Sequence, residues 1–280
     1  MAVNKVEYND NGQLKPLIDL TADTVTADKL AKGYTAHDMS GNIITGTMES
    51  GSGDDTLLKS LIEKDNLTAF EFPEGVKKIG SYTFYRCNKL SIPSLPYGIT
   101  EIGGYAFAGC TSLGLTSIPE SVTTIYGGAF SQNAYLLLNS LPSGLTEIYA
   151  NTFSGSNLSI TSLPSGVTII HNYAFNATNI ALTSLPEVLE HIGDGAFEDC
   201  GNLVITSIPP GVTWIGNHAF YGCSGLTSIT FQGTPDTIYS TAFKSCSNLT
   251  TINVPWAEGA VANAPWGATN ATINYNYNPT

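Results

Sequence analysis

Every cysteine in this 280-residue chain stands three residues after a phenylalanine: Cys87, Cys110, Cys200, Cys223 and Cys246. Asn133, Ser156 and Thr178 fill the same position in the remaining copies of one recurring phrase. Thiols invite metal binding or disulfide formation, but these lie a full phrase apart, without C-x-x-C spacing or partner histidines. Side by side on parallel coils they would seldom meet disulfide geometry. A tight interior corner that accepts small hydrogen-bonding residues accounts for all eight positions, so reduced, buried thiols are expected. The acidic residues Glu187, Glu190, Asp194, Glu198 and Asp199 could hold calcium or act as a carboxylate pair, but a solvated turn face explains them better. His37, His171, His191 and His218 stand beside no candidate nucleophile. No catalytic constellation, metal-ligand set or cofactor motif emerges, and a non-enzymatic protein is expected.

What positions these residues is a repeat. Phe84, Phe107, Phe130, Phe153, Phe175, Phe197, Phe220 and Phe243 are spaced by 22 or 23 residues. Five residues before each is an isoleucine, from Ile79 to Ile238, and immediately before each is Ala or Thr. Proline lies eleven residues before the ring in seven copies, with Gln232 the exception. A period of this length means stacked coils that bury their apolar sides on one another. "VTTI" and its equivalents predict one short strand per coil, and runs such as "LGLTSIP" at 113 and "LVITSIP" at 203 predict a second, ended by proline. At ~4.8 Å per coil, eight coils give parallel ladders roughly 35–40 Å long.

Two surface columns follow from the register. Ser94, Ser117, Ser140, Ser162, Ser184 and Ser207 stand thirteen residues before the ring and form a polar strip, which keeps the sheet soluble without charge and is a candidate contact surface. Tyr126, Tyr149 and His171, with Tyr239 further on, stand four residues before it, where other coils have glycine. Rings repeated at coil spacing on a nearly uncharged surface suit stacking on sugars or contact with an apolar protein surface. Tyrosine is also a good strand residue, which is the plain alternative.

The ends differ. Residues 1–48 read as a small β-rich module and 49–55 as a flexible linker. Residues 56–66 read as a capping helix, with Asp54 or Asp55 at its N-cap and Leu57, Leu58, Leu61 and Ile62 on its apolar face. The solenoid covers 67–254, and 255–280 form a cap in which Trp256 and Trp266 cover the last coil.

The formal charge is −12, yet no Lys or Arg occurs between Leu90 and Phe243. Nucleic acid needs clustered cations, so it is not an expected partner, and an anionic membrane surface is excluded on the same ground. No apolar run approaches the ~20 residues of a membrane span, and the first residues lack a secretory pattern.

The pattern P-x-G-V-x-x-I-x-x-x-A-F-x-x-C-x-x-L, as in 209–226, resembles the BspA-type leucine-rich repeat over about residues 67–254. That resemblance implies a right-handed, curved, mainly β solenoid and a role in adhesion. "GYTAHDMSGNIITGTM" and the segment from Pro255 resemble parts of tail-associated proteins of phages and prophages of Gram-positive bacteria. Together these imply a tail or fibre-tip component that binds a host cell-surface glycan or protein and meets other tail proteins through its N-terminal module. They further imply a homotrimer, no cofactor, and a place in the virion. A bacterial surface or secreted adhesin, or a glycan-cleaving tailspike-like enzyme, are the alternatives.

Overall fold

The computed structural model describes residues 4–10, 13–20, 34–37, 43–45, 56–57, 67–72 and 75–278. The first four strands, β1 (Asn4–Asp10), β2 (Gln13–Leu20), β3 (Tyr34–His37) and β4 (Ile43–Thr45), form an antiparallel sheet of order β2-β1-β3-β4. The described residues of the N-terminal segment are thus β-structured, in keeping with the β-rich module read from the sequence.

From there every strand pairing is parallel, one coil on the next. The isoleucine of each phrase ends a two-residue strand: β5 (Thr56–Leu57), β6 (Lys78–Ile79), β7 (Glu101–Ile102), β8 (Thr124–Ile125), β9 (Glu147–Ile148), β10 (Ile169–Ile170) and β11 (His191–Ile192). The later coils carry strands on two faces: β12 (Ser207–Ile208), β13 (Trp214–Ile215), β14 (Ser228–Phe231), β15 (Thr237–Ile238), β16 (Thr251–Asn253) and β17 (Thr272–Asn274). The second strand expected in every coil therefore forms only from β12 onward. Earlier, the burial alternation is present, with Leu136 and Leu138 buried and Leu137 exposed. There the coils are joined on this face by isolated bonds such as Leu137 N–H to the Leu115 carbonyl at 3.0 Å. The prolines that end these runs have no N–H to donate.

The core is the repeat itself. All eight phenylalanine rings are fully buried, and successive rings stack nearly parallel at 5.0–5.9 Å. Backbone bonds hold the rings in register: each of the first seven phenylalanine N–H groups donates to the carbonyl of the Ala/Thr position in the next coil, as Phe107 does to Ala129 at 2.8 Å. On the isoleucine side, threonine hydroxyls add a second tie, with Thr123 Oγ1 on the Thr100 carbonyl and Thr213 Oγ1 on the Glu190 carbonyl.

Two positions per coil, two residues before and two after the ring, take left-handed backbone, Thr241 before the last ring excepted. They hold Tyr82, Tyr105, Gly128, Asn151, Tyr173, Gly195 and His218 on one side, and Arg86, Gly109, Gln132, Gly155, Ala177, Asp199, Gly222 and Ser245 on the other. The side chain from one coil lies over the next coil's position. A Cβ on Gly195 would come within 2.4 Å of the Tyr173 ring, and one on Gly128 within 2.4 Å of the Tyr105 ring.

The isoleucine-face ladder is interrupted once. One sheet runs β5-β6-β7-β8 and the other β9-β10-β11-β13-β15, so β8 and β9 are not joined. The widest ring spacing in the stack, 5.9 Å between Phe130 and Phe153, falls at this same junction.

Both ends are closed by rings set edge-on. Phe70 meets Phe84 at 4.9 Å and 73°. At the other end Phe231, Trp256 and Trp266 form a cluster, with Phe231 edge-on to Phe243 at 6.3 Å. The expected tryptophan lid is there, but it is a ninth turn of the coil rather than a departure from it. Phe243 N–H donates to the Trp266 carbonyl 23 residues ahead at 2.9 Å, where each earlier phenylalanine reaches a carbonyl 21 or 22 residues ahead, and β17 continues the sheet of β16. The capping helix expected at 56–66 is overturned at its start. Thr56 and Leu57 pair in parallel with Lys78 and Ile79, because the ladder begins one coil before the first full phrase. Residues 58–66 of that expected helix lie outside the described residues, and among the described residues there is no helix.

Candidate functional site

In each short strand the isoleucine points inward, so the residues on either side of it point out. These are the positions six and four before the phenylalanine, and they form two adjacent surface columns. In the second, Tyr126 and Tyr149 lie 5.7 Å apart and tilted by 37°, and Tyr149 stacks on His171 at 5.2 Å and 6°. His171 Nε2 is 2.7 Å from Glu147 Oε2, a residue of the first column.

The next two coils have Gly193 and Gly216 in the second column, with backbones packed so closely on the preceding coil that a Cβ would come within 2.5 Å of it. There the rings move to the first column. His191 stacks on Trp214 at 5.8 Å and 13°, and Trp214 meets Tyr239 at 5.2 Å and 60°. The result is a strip of six rings in two runs, Tyr126, Tyr149 and His171 and then His191, Trp214 and Tyr239, half-buried or exposed. All four residues singled out from the sequence belong to it. His191 and Trp214 complete it, and the signal that points to them is simply that both neighbours of a buried strand residue face outward.

Electrostatically the strip is quiet. Burial, and next the Glu147 carboxylate, push the Tyr149 hydroxyl above the usual phenol range. Burial, and next the neighbouring His171, hold His191 below the ordinary imidazole range. Both shifts favour neutral side chains.

The serine column lies elsewhere on the coil. Ser94, Ser117, Ser140, Ser162 and Ser184 are exposed, Ser207 is half-buried as the first residue of β12, and Ser140 Oγ bonds Asn139 Oδ1 at 3.3 Å. The acidic residues at 187–199 spread over several turn positions, and Asp194 Oδ1 accepts the Asn217 N–H at 2.7 Å, a backbone task. Among the described residues no three His, Cys, Asp or Glu side chains converge as a metal site.

The cysteines are buried and reduced. Cys110, Cys200, Cys223 and Cys246 each donate the thiol to the phenylalanine carbonyl of the preceding coil at 2.9–3.0 Å. Ser156 does the same at 2.6 Å, and Asn133 Nδ2 bridges the Phe107 and Phe130 carbonyls. Burial raises the thiol of Cys200 to about 11, that of Cys246 to about 12 and that of Cys223 well above the usual range, so these groups are structural donors rather than nucleophiles.

Known proteins agree with this architecture. The model of the BspA type leucine-rich repeat region matches residues 58–181 and 168–260. A leucine-rich repeat protein from Bacteroides ovatus superposes with a TM-score of 0.58 at 21% identity, covering 98% of this chain and 76% of that one. A leucine-rich cell surface protein from Faecalibacterium prausnitzii gives 0.46 at 21% identity, with 97% and 95% covered. No curated protein matches the chain. The repeat phrase, the stacked parallel coils and the family match over most of the chain agree: this protein belongs to the BspA-type leucine-rich repeat family.

Proposed function

We propose that this protein is a non-enzymatic recognition protein that binds a cell-surface glycan or protein along the six-ring strip. The observation that carries the proposal is the pair of three-ring runs between Tyr126 and Tyr239, the second run beginning in the first column where glycine interrupts the second column. A coil framework holds the rings at fixed spacing, so little side-chain freedom is lost when a partner docks. The surroundings disfavour an anionic partner, since no Lys or Arg occurs between Leu90 and Phe243 and the coils after Leu182 carry acidic residues. A glycosidase would need two carboxylates placed across a scissile bond, and Glu147 is engaged with His171.

The finer reading is a component of a phage or prophage tail, attached through the N-terminal sheet, trimeric, and meeting other tail proteins. Its support is the resemblance of the N- and C-terminal segments given above. Family membership favours a second reading, a bacterial surface or secreted adhesin. Antibody labelling separates the two: signal on purified particles supports the tail component, and signal on producing cells the adhesin.

The strip itself is tested by binding of the fluorescently labelled full chain to intact bacteria and to isolated wall polysaccharide. Replacing Tyr149, His171 and Trp214 with alanine, one at a time and together, is expected to weaken binding by up to about tenfold per ring, the worth of an aromatic contact. Unchanged binding by a triple variant with native melting behaviour would sink the proposal.

A further inference from the structure

The strip ends at Tyr126, and beyond it the surface deepens. Gly80 and Gly103 occupy the ring column in the two preceding coils, and they line, with Tyr126, a hollow of about 480 Å³. That volume lies within the ~300–1,000 Å³ of small-molecule sites. Lys78 and Glu101, neighbours in the first column, also line it, with Nζ and Oε1 3.2 Å apart and both side chains partly exposed. Ser81 also lines the hollow, and its hydroxyl is fixed by accepting the Gly104 N–H at 3.1 Å.

We infer that this hollow is a saccharide subsite that takes a neutral hexopyranose, the terminal residue of a glycan lying along the strip. The inference deepens the recognition reading and rests on it for the track, but not for the hollow. A pyranose has a face of C–H bonds that stacks on a tyrosine ring, and a rim of hydroxyls. Here Tyr126 and the polar groups of Lys78, Glu101 and Ser81 line one hollow, so a sugar ring seated in it meets both. The Glu101 carboxylate accepts from sugar hydroxyls and the Lys78 ammonium donates to them, and bonds to charged groups are the strong ones. An acidic sugar drawn to the ammonium would meet the carboxylate 3.2 Å away.

The experiment is saturation-transfer NMR on the full chain with the methyl glycosides of glucose, galactose and mannose, beside glucuronic acid, and with wall polysaccharide in parallel. Transfer to the ring C–H protons of at least one neutral glycoside is expected. Glu101→Gln should weaken its binding about tenfold, the worth of one charge-assisted hydrogen bond, and Tyr126→Ala should abolish the transfer. Transfer that survives both substitutions, or that is strongest for glucuronic acid, overturns the assignment. Polysaccharide binding without transfer from any neutral glycoside overturns the hollow and leaves the strip standing. Transfer lost in Glu101→Gln, in a chain that binds no polysaccharide, supports the hollow and overturns the strip.

Discussion

The Cys223 thiol donates to the Phe197 carbonyl of the preceding coil at 3.0 Å, and the same bond recurs for Cys200 and Cys246. Each bond holds a neutral thiol where burial opposes ionisation. With folded values about 11 for Cys200 and about 12 for Cys246 against an ordinary 9.0, their contribution is complete below pH 9. It is lost as the pH rises toward 11–12, because the unfolded chain ionises first. Each thiol should cost about 1.4 kcal/mol of stability per pH unit in that window. Urea midpoints between pH 8 and 11 should fall steeply, and the triple Cys→Ser variant at 200, 223 and 246 should flatten the slope. Serine already serves at position 156, so the variant is expected to fold.

At acid pH the sign reverses. His191 is held below the ordinary imidazole value of 6.5 by burial and then by His171, with Asp194 opposing, while Trp214 covers its ring. Its stabilisation is present above pH 6.5 and is lost as pH falls toward the depressed folded value. The melting temperature should drop between pH 7 and 5, and His191→Gln should reduce the drop.

Truncating one ring tests the stack. Phe175 lies between Phe153 and Phe197, 5.5 Å from each. Phe175→Ala should cost about 3–5 kcal/mol in denaturant unfolding. A loss below about 1 kcal/mol would show that the stack is not the main source of cohesion.

Tyr173 and Gly195 form a coupled pair, since the ring fills the space a Cβ on Gly195 would take, at a left-handed φ of 57°. Gly195→Ala should destabilise by about 1–3 kcal/mol. In the Tyr173→Gly background the steric part should vanish and only the backbone part remain. Additive effects in the double-mutant cycle would refute the coupling.

The break between β8 and β9 predicts where the rod opens first. Hydrogen exchange at residues 146–149 should be faster than at 190–193, where β11 is paired on both sides.

Much of this was legible in the sequence, and the reason is physical. The isoleucine and phenylalanine positions tolerate little variation because each side chain touches its own copy above and below. The left-handed positions were not legible, because Tyr, Asn, Asp, Gln and Gly all occupy them, and only the backbone angle unites them. His191 and Trp214 escaped because a two-residue strand shows no alternation to read. The leucines at 57–62 have helical spacing, yet Leu57 serves as the isoleucine equivalent of an incomplete first coil, and pairing with Ile79 outweighs local preference.

The edge-on rings at both termini of the stack leave its middle modular. Phe70 caps one extremity and Trp256 and Trp266 the other, while the interior turns satisfy only their immediate neighbours. A gene duplication that inserted one more 23-residue phrase between Phe197 and Phe220 would lengthen the rod by ~4.8 Å and disturb neither lid. Reach is thereby open to evolutionary adjustment in discrete increments, independently of how the extremities are sealed.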